Sequence, residues 1–313
     1  MHSGLKYPRL AKRTAAILIL GAGALYGAMA RCQTASADTN QVFRFAISAN
    51  LFPEVNENDA RAAMKVWVME ISNERHIAVD PDLRICRDER ELGEIFKTGR
   101  IDGVGLVTSE YASLSRTQKF DRLGVASCDG CITESYEVLV RRDGGVESLS
   151  QLAGRTLNVL ASARASLAMT WLDTALVEAG QKRAADFFGP IRYQDKASLV
   201  ALPVFFRQVD ACLITSNSFK VMGELNPQLH KQLRVLALSP DVIPSFFAFC
   251  ARDPSLVSPE VITAMTEMHQ STAGKQILTL VKADCIVERP VNCLQPSLDL
   301  LAKHDRLCGE ATP

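Results

Sequence analysis

Thr156-Leu157-Asn158-Val159-Leu160, then Ala161-Ser162-Ala163-Arg164-Ala165, then a helical pattern from Ser166 to Ala179 halted at Gly180, reads as one strand, one small polar loop and one helix. The apolar run has strand length, the run after the loop has helix length, and glycine stands where a left-handed stop belongs. The same plan recurs along the chain. Residues 42–47 form an apolar strand, and a loop holding Ser48, Asn50 and Pro53 follows it. A helix over 57–74 comes next, with Ala60, Met64, Trp67 and Ile71 on one face and Asn56 or Asn58 available as N-cap. Residues 101–107 make a strand that runs into a helical turn at Thr108-Ser109-Glu110-Tyr111. A helix over 197–206, with Pro203 marking its start or a kink, leads to a strand over 211–215 and the loop Ser216-Asn217-Ser218. Repeats of this unit predict an α/β fold with mixed or parallel sheets and helices on both faces.

Other segments organise these units into lobes. A strand near 83–86 leads to a short helix bearing Leu92, Ile95 and Phe96, closed by Gly99. Arg141-Arg142-Asp143-Gly144-Gly145 follows a strand over 136–140 and reads as a first crossing between domains, while Pro240 and Pro244 lie between strand-like 233–238 and 246–251 and mark the return. Two lobes follow, one made of 38–142 with 245–313 and the other of 143–244, hinged near 141–145 and 239–244. The remainder reads as helical, starting at Ser258-Pro259-Glu260, with Val261, Met265 and Met268 as a core stripe.

At the N-terminus Lys6, Arg9, Lys12 and Arg13 precede an apolar run from Thr14 to Ala30, the form of a secretory signal over residues 1–37 cut after Ala37. An uncleaved membrane anchor is the alternative; either way the chain is expected outside the cytoplasm, in the periplasm. The signal holds five of the 35 Lys+Arg and none of the 35 Asp+Glu, so the rest of the chain carries a net charge of −5. Nucleic acid and anionic membrane surfaces are poor partners for such a chain. Cys86, Cys128, Cys131, Cys212, Cys250, Cys285, Cys293 and Cys308 lie beyond the signal. In an oxidising compartment some disulfides are expected, with at least one bridge stapling the tail, where Cys285, Cys293 and Cys308 crowd together. Cys212, in an apolar strand, reads as a buried thiol.

Four further segments appear in a telling order: Gly99 with Ile101-Asp102-Gly103-Val104, Ser148-Leu149-Ser150-Gln151-Leu152-Ala153-Gly154-Arg155-Thr156, Val209-Asp210-Ala211, and Gly274-Lys275-Gln276-Ile277-Leu278. Together they resemble the phosphonate-binding proteins of ABC transporters, within the type 2 periplasmic binding proteins, over residues 42–284. The resemblance implies a two-lobe type 2 fold with a hinge of two crossings. It also implies a monomer that holds a small anionic ligand in the cleft and serves a membrane permease of an ABC transporter, without cofactor or catalysis. The family's second-lobe loop is a Ser/Thr-rich run. Here it reads Ser162-Ala163-Arg164-Ala165-Ser166, in which two hydroxyls remain and an arginine appears, a departure that speaks against phosphonate itself while keeping a small anion, a phosphonate- or phosphate-like oxyanion, as the expected class.

The residues argue for the same site independently of the family. Strands that end in small polar loops at helix starts bring unpaired amides and positive helix ends into one crevice. The candidates are Ser48, Asn50, Thr108, Ser109 and Tyr111 from the first lobe, and Ser162, Arg164, Ser166, Ser216 and Asn217 from the second. Arg164 would supply paired donors to an oxyanion, and Tyr111 a wall or a hydroxyl. Each Ser or Asn could instead cap its own helix, Arg164 could be a solvated charge, and Tyr111 could be packing.

Rival readings use the same residues differently. Cys128-Asp129-Gly130-Cys131 suggests an exported thiol-disulfide oxidoreductase, but a strand, not a helix, follows the pair, which favours a structural clip. His76, His230, His269 and His304 are too scattered for a metal site. No Gly-x-Ser-x-Gly or His-Glu-x-x-His motif occurs. A ligand-loaded sensor that docks on a membrane signalling protein would use the same clamp.

Overall fold

The computed structural model describes residues 42–98, 101–250 and 259–309. The signal pattern over 1–37, the helix stop at Gly99 and the helix start at Ser258 lie outside the described residues. Among those residues the strands are β1 (Phe45–Ser48), β2 (Arg84–Cys86), β3 (Gly103–Val107), β4 (Phe120–Ser127), β5 (Tyr136–Arg141) and β6 (Leu157–Leu160). They continue with β7 (Ile191–Gln194), β8 (Ala211–Thr215), β9 (Leu233–Leu238), β10 (Ser245–Cys250) and β11 (Cys285–Pro290). Two sheets result, in the orders β11-β4-β10-β3-β1-β2 and β7-β6-β8-β5-β9.

Each sheet has a parallel part, where the repeated units lie, and an antiparallel part built from the segments between them. β1 runs parallel to β2 and β3, and β6 parallel to β7 and β8. β10 joins antiparallel to β3 and β4, and β5 to β8 and β9. The parallel strands β1, β3, β6 and β8 are buried along their whole length, as strands covered on both faces must be. In β3, Gly105 lies opposite Ile47, and a Cβ there would stand 2.6 Å from the Leu51 side chain. Its absence lets the turn after β1 lie down on the sheet.

The helix Glu57–Arg75 follows its prediction within one residue. Asn56 is the N-cap, its side chain accepting from the Asn58 amide at 2.8 Å, and Ala60, Met64, Trp67, Val68 and Ile71 are buried. Pro203 lies inside the helix Ala197–Phe205 rather than at its start. A proline there leaves the carbonyl four residues earlier without its helical partner. That carbonyl belongs to Leu199, and buried Asn158 donates to it at 3.3 Å.

The structure corrects the first crossing. β5 is not the end of the first lobe but an inner strand of the second sheet, with Tyr136 opposite Thr215 of β8 and Glu137 opposite Leu238 of β9. The chain therefore changes lobes over 128–135. Arg141 to Gly145 is a turn at the far end of β5, held by Arg142 N donating to Gln232 O at 2.8 Å. A second passage between the sheets runs over 239–244, from β9 to β10. The two crossings form a short ladder, with Glu134 and Val242 exchanging amide bonds of 2.7 and 2.9 Å.

The tail differs from its expectation too. It is not all helical, because β11 completes the edge of the first sheet against β4. The helix Gln295–Cys308 then leans on the helix Ala168–Glu178 of the second lobe, with Leu300 in that lobe's core and Lys303 paired to Glu178 at 2.6 Å. Just before and within it, Leu294 and Leu298 pack in the first lobe's core. Residues 245–313 thus do not all belong to the first lobe. Cys285, Cys293 and Cys308 stay thiols, because strand β11, the first-lobe core and the far end of the tail helix separate them.

Candidate ligand-binding site

At the ends of β1 and β3 the small polar residues close on an acid. Glu110, 2% exposed in the first turn of the helix Thr108–Leu114, accepts from Ser48 Oγ at 2.6 Å and Asn50 Nδ2 at 2.7 Å. Its second oxygen accepts from the Val107 amide at 3.1 Å. Ser48 also caps the short turn Ala49–Leu51 by accepting from Asn50 N. Donors that could face an anion are thus met by a carboxylate of the adjoining turn.

Thr108 and Ser166 come from different lobes and meet at the return crossing. Thr108 N donates to Pro244 O at 2.8 Å and its hydroxyl to Ile243 O. Ser166 Oγ donates to the same Pro244 carbonyl at 3.0 Å.

A second acid, Glu134, organises the second-lobe loops around the first crossing. Arg164 Nε donates to Glu134 Oε2 at 2.9 Å, with the side chains 13% and 3% exposed. The Asn217 amide donates to Oε1 at 3.4 Å. Burial pushes the Glu134 carboxyl up, and the Arg164 charge and the Asn217 amide pull it back. Ser216 lies beside Ser135, their hydroxyls 2.8 Å apart. Ser216 and Asn217 are not a loop but the first turn of the helix Ser216–Leu225, capped by Thr215.

Between the lobes is a cavity of about 170 Å³. Leu51 to Val55 and Thr279 to Lys282 line it from the first lobe, and Ser162, Ala163 and Arg164 from the second. Its walls are mainly apolar. Lys282 is paired to Glu54, as Arg164 is to Glu134, so each cation that borders it already has a carboxylate partner.

Most of the predicted residues therefore gather near the crossings, with Ser162 and Arg164 at the cavity wall. Ser109 is half-buried in the first turn of its helix. Tyr111 is a correction: at 5% exposure it packs on Phe120 and Phe246, with ring centroids 5.4 and 5.3 Å away, inside the first-lobe core. The short helix after β3 turns that side chain inward. Sequence reasoning missed Glu110 and Glu134. Glu110 stood in the quoted turn Thr108-Ser109-Glu110-Tyr111, and an acid amid hydroxyls in an otherwise apolar stretch was the available signal. Of the cysteine pair, Cys128 lies in a hairpin rather than at a helix start, and burial pushes its thiol up. Among the described residues no group of three or more His, Cys, Asp or Glu side chains is placed to hold a metal ion.

Comparison with known proteins bears on the family. A family model described as ABC transporter, phosphonate, periplasmic substrate-binding protein matches residues 50–289. PhnD1 from Prochlorococcus marinus in complex with methylphosphonate is similar at 13% identity and a TM-score of 0.56, over 85% of this chain and 99% of that one. A binding protein component of an ABC phosphonate transporter from Pseudomonas aeruginosa is similar at 13% identity and a TM-score of 0.55, over 87% and 90%. A Xanthomonas citri protein bound to ATP reaches 16% identity and a TM-score of 0.58, over 87% and 99%. At such identities these structures speak for the two-lobe fold, and no curated protein sequence matches the chain. The extent of the family match nonetheless decides membership: the chain belongs to the periplasmic substrate-binding proteins of phosphonate ABC transporters.

Proposed function

We propose that this chain, exported to the periplasm, closes on a small phosphonate- or phosphate-like oxyanion in the inter-lobe cavity and hands it to a membrane permease. The observation that carries the reading is a cavity bordered by both lobes, with Arg164 and Ser162 on one wall and apolar side chains on the other. Arg164 spends Nε on Glu134, which leaves its terminal nitrogens for the guest's oxygens. Ser162 adds a hydroxyl. Leu51, Phe52, Val55, Leu280 and Val281 suit a short alkyl substituent, so methyl- and ethylphosphonate fit better than inorganic phosphate. The bordering cations are already paired, so hydrogen bonds rather than net charge hold the oxyanion. Closure is then biased by contacts made to both lobes.

A thermal-shift screen against alkylphosphonates, phosphate, phosphite, sulfate and small carboxylates tests this. A ligand at one hundred times its dissociation constant adds about 2.7 kcal/mol. The expected order places alkylphosphonates first. A flat response to every anion removes the reading. Arg164→Lys keeps the charge but loses the fork, and should weaken the best ligand at least about tenfold, or roughly 1.4 kcal/mol.

A further inference from the structure

One pair of nucleophilic side chains lies outside the lining of the inter-lobe cavity. Cys128 and Cys131 close a two-residue hairpin in the first crossing, the amide of each donating to the carbonyl of the other at 2.9 Å. Asp129 (φ 51°) and Gly130 (φ 76°) take the left-handed conformation that such a turn requires at both central positions. Residues paired in this way have Cα atoms about 5.5 Å apart, within the span of a disulfide. Both are thiols here, Cys131 exposed and Cys128 half-buried. The hairpin is docked at several points. Asp129 N donates to Asp284 at 2.7 Å, Asp129 pairs with Lys220 at 3.6 Å, and Asn217 Nδ2 donates to Cys128 Sγ at 3.4 Å.

We propose that Cys128 and Cys131 form a reversible dithiol–disulfide site, oxidised by small disulfides of the glutathione class, that clips the first crossing where the chain leaves the first sheet. The exposed Cys131 thiolate attacks one sulfur of oxidised glutathione and displaces a glutathione thiolate, which takes up a proton. Cys128, losing its own proton to solvent, then attacks the Cys131 sulfur of the mixed disulfide. The S–S bond forms between the two cysteines and a second glutathione thiol leaves, so two protein thiols are oxidised and one disulfide is reduced.

Reversibility follows from the hairpin. The bridge encloses only Asp129 and Gly130, so it removes little chain entropy from the unfolded state. The Cβ atoms of opposed pairs stand about 4.5–5.5 Å apart, wider than the mean of about 3.8 Å in a relaxed disulfide. The bridge is therefore strained and open to reduction. Burial raises the Cys128 thiol, against the pull of the Arg164 charge, making it the slower nucleophile. Oxidation draws its sulfur from Asn217, loosening the tie between the hairpin and the helix Ser216–Leu225 while stiffening the hairpin itself.

The full chain is equilibrated at graded ratios of oxidised to reduced glutathione, approached from both directions. It is then quenched in acid, alkylated and mapped by peptide mass. Cys128 and Cys131 should become protected together in one two-electron transition, in a peptide lighter by two hydrogens. Amide exchange over 128–131 should slow in the oxidised form. In Cys131→Ser, a surface change, Cys128 should remain alkylatable at every ratio. The proposal is overturned by a lasting glutathione adduct on Cys131 beside a free Cys128. A bridge from Cys128 to another cysteine, no reaction at all, or a bridge that reduced glutathione does not reopen would overturn it equally. The readout needs no ligand, so it stands or falls apart from the cleft's occupant.

Discussion

At the ends of β1 and β3 the donors of Ser48 and Asn50 turn inward to Glu110, an acid of the adjoining turn, while after β6 Arg164 reaches across to Glu134 in the first crossing. Both lobes bury a carboxylate among polar turns. In the first the partners are held by the sheet itself, whereas in the second the partner belongs to the first passage between the sheets. The first-lobe network is therefore a fixture of its fold. The second-lobe network connects the cavity wall to that passage, which is where the proposed ligand and the proposed closure would be coupled.

The largest effect should come from breaking the second network. Arg164→Ala strands a carboxylate with 3% side-chain exposure and should cost about 3–5 kcal/mol in urea unfolding; a loss below about 1 kcal/mol would equate it with a surface pair. Glu110→Ala leaves the buried Ser48 hydroxyl and Val107 amide without their acceptor, at about 1–3 kcal/mol each by the same measurement. If the first network is only a fixture, that variant's best ligand should bind as in the parent once stability is matched by temperature.

A third test separates the networks by pH. Glu137 of β5, with Oε2 buried and unpartnered in the structure, has its carboxyl raised by burial, against the Ser216 hydroxyl and the His230 charge. Glu134 is the other charged group facing it and adds to the rise. Because the folded value lies above the unfolded one, its stabilising share is complete below the ordinary value of 4.5 and is lost as pH climbs through the folded value. Glu137→Gln should therefore match the parent near pH 4 and gain on it toward neutrality, by about 1 kcal/mol; a pH-independent difference would assign the effect to packing. The smallest change should be Asn50→Ala, an exposed donor to Glu110, at about 1 kcal/mol or less.

Much of the fold was legible because its parallel strands are mainly apolar runs followed by hydroxyls, as in 156–166. β4 and β11 were not, since Asp121, Arg122, Glu288 and Arg289 interrupt them, and only pairing with neighbours makes them strands. The first crossing was misplaced because Gly144-Gly145 has the composition of a linker yet serves as a turn, while the turn mark of the real crossing, Asp129-Gly130, was read only as the spacer of a cysteine pair. The polar turns around the site were legible from the repeat, but their partners were not. Glu134 binds residues 30 and 83 positions away, a distance at which local pattern says nothing.

The tail helix also bears on how the molecule can bend. Ser297 Oγ, fully buried, accepts from Ile243 N at 2.7 Å, so a third passage of the chain is fastened to the two that Glu134 and Val242 join. Three passages fastened side by side would act as an axle, permitting rocking about their common line and resisting twisting or sliding across it. Under the proposed closure, whatever enters the gap would meet its two walls in one fixed alignment throughout.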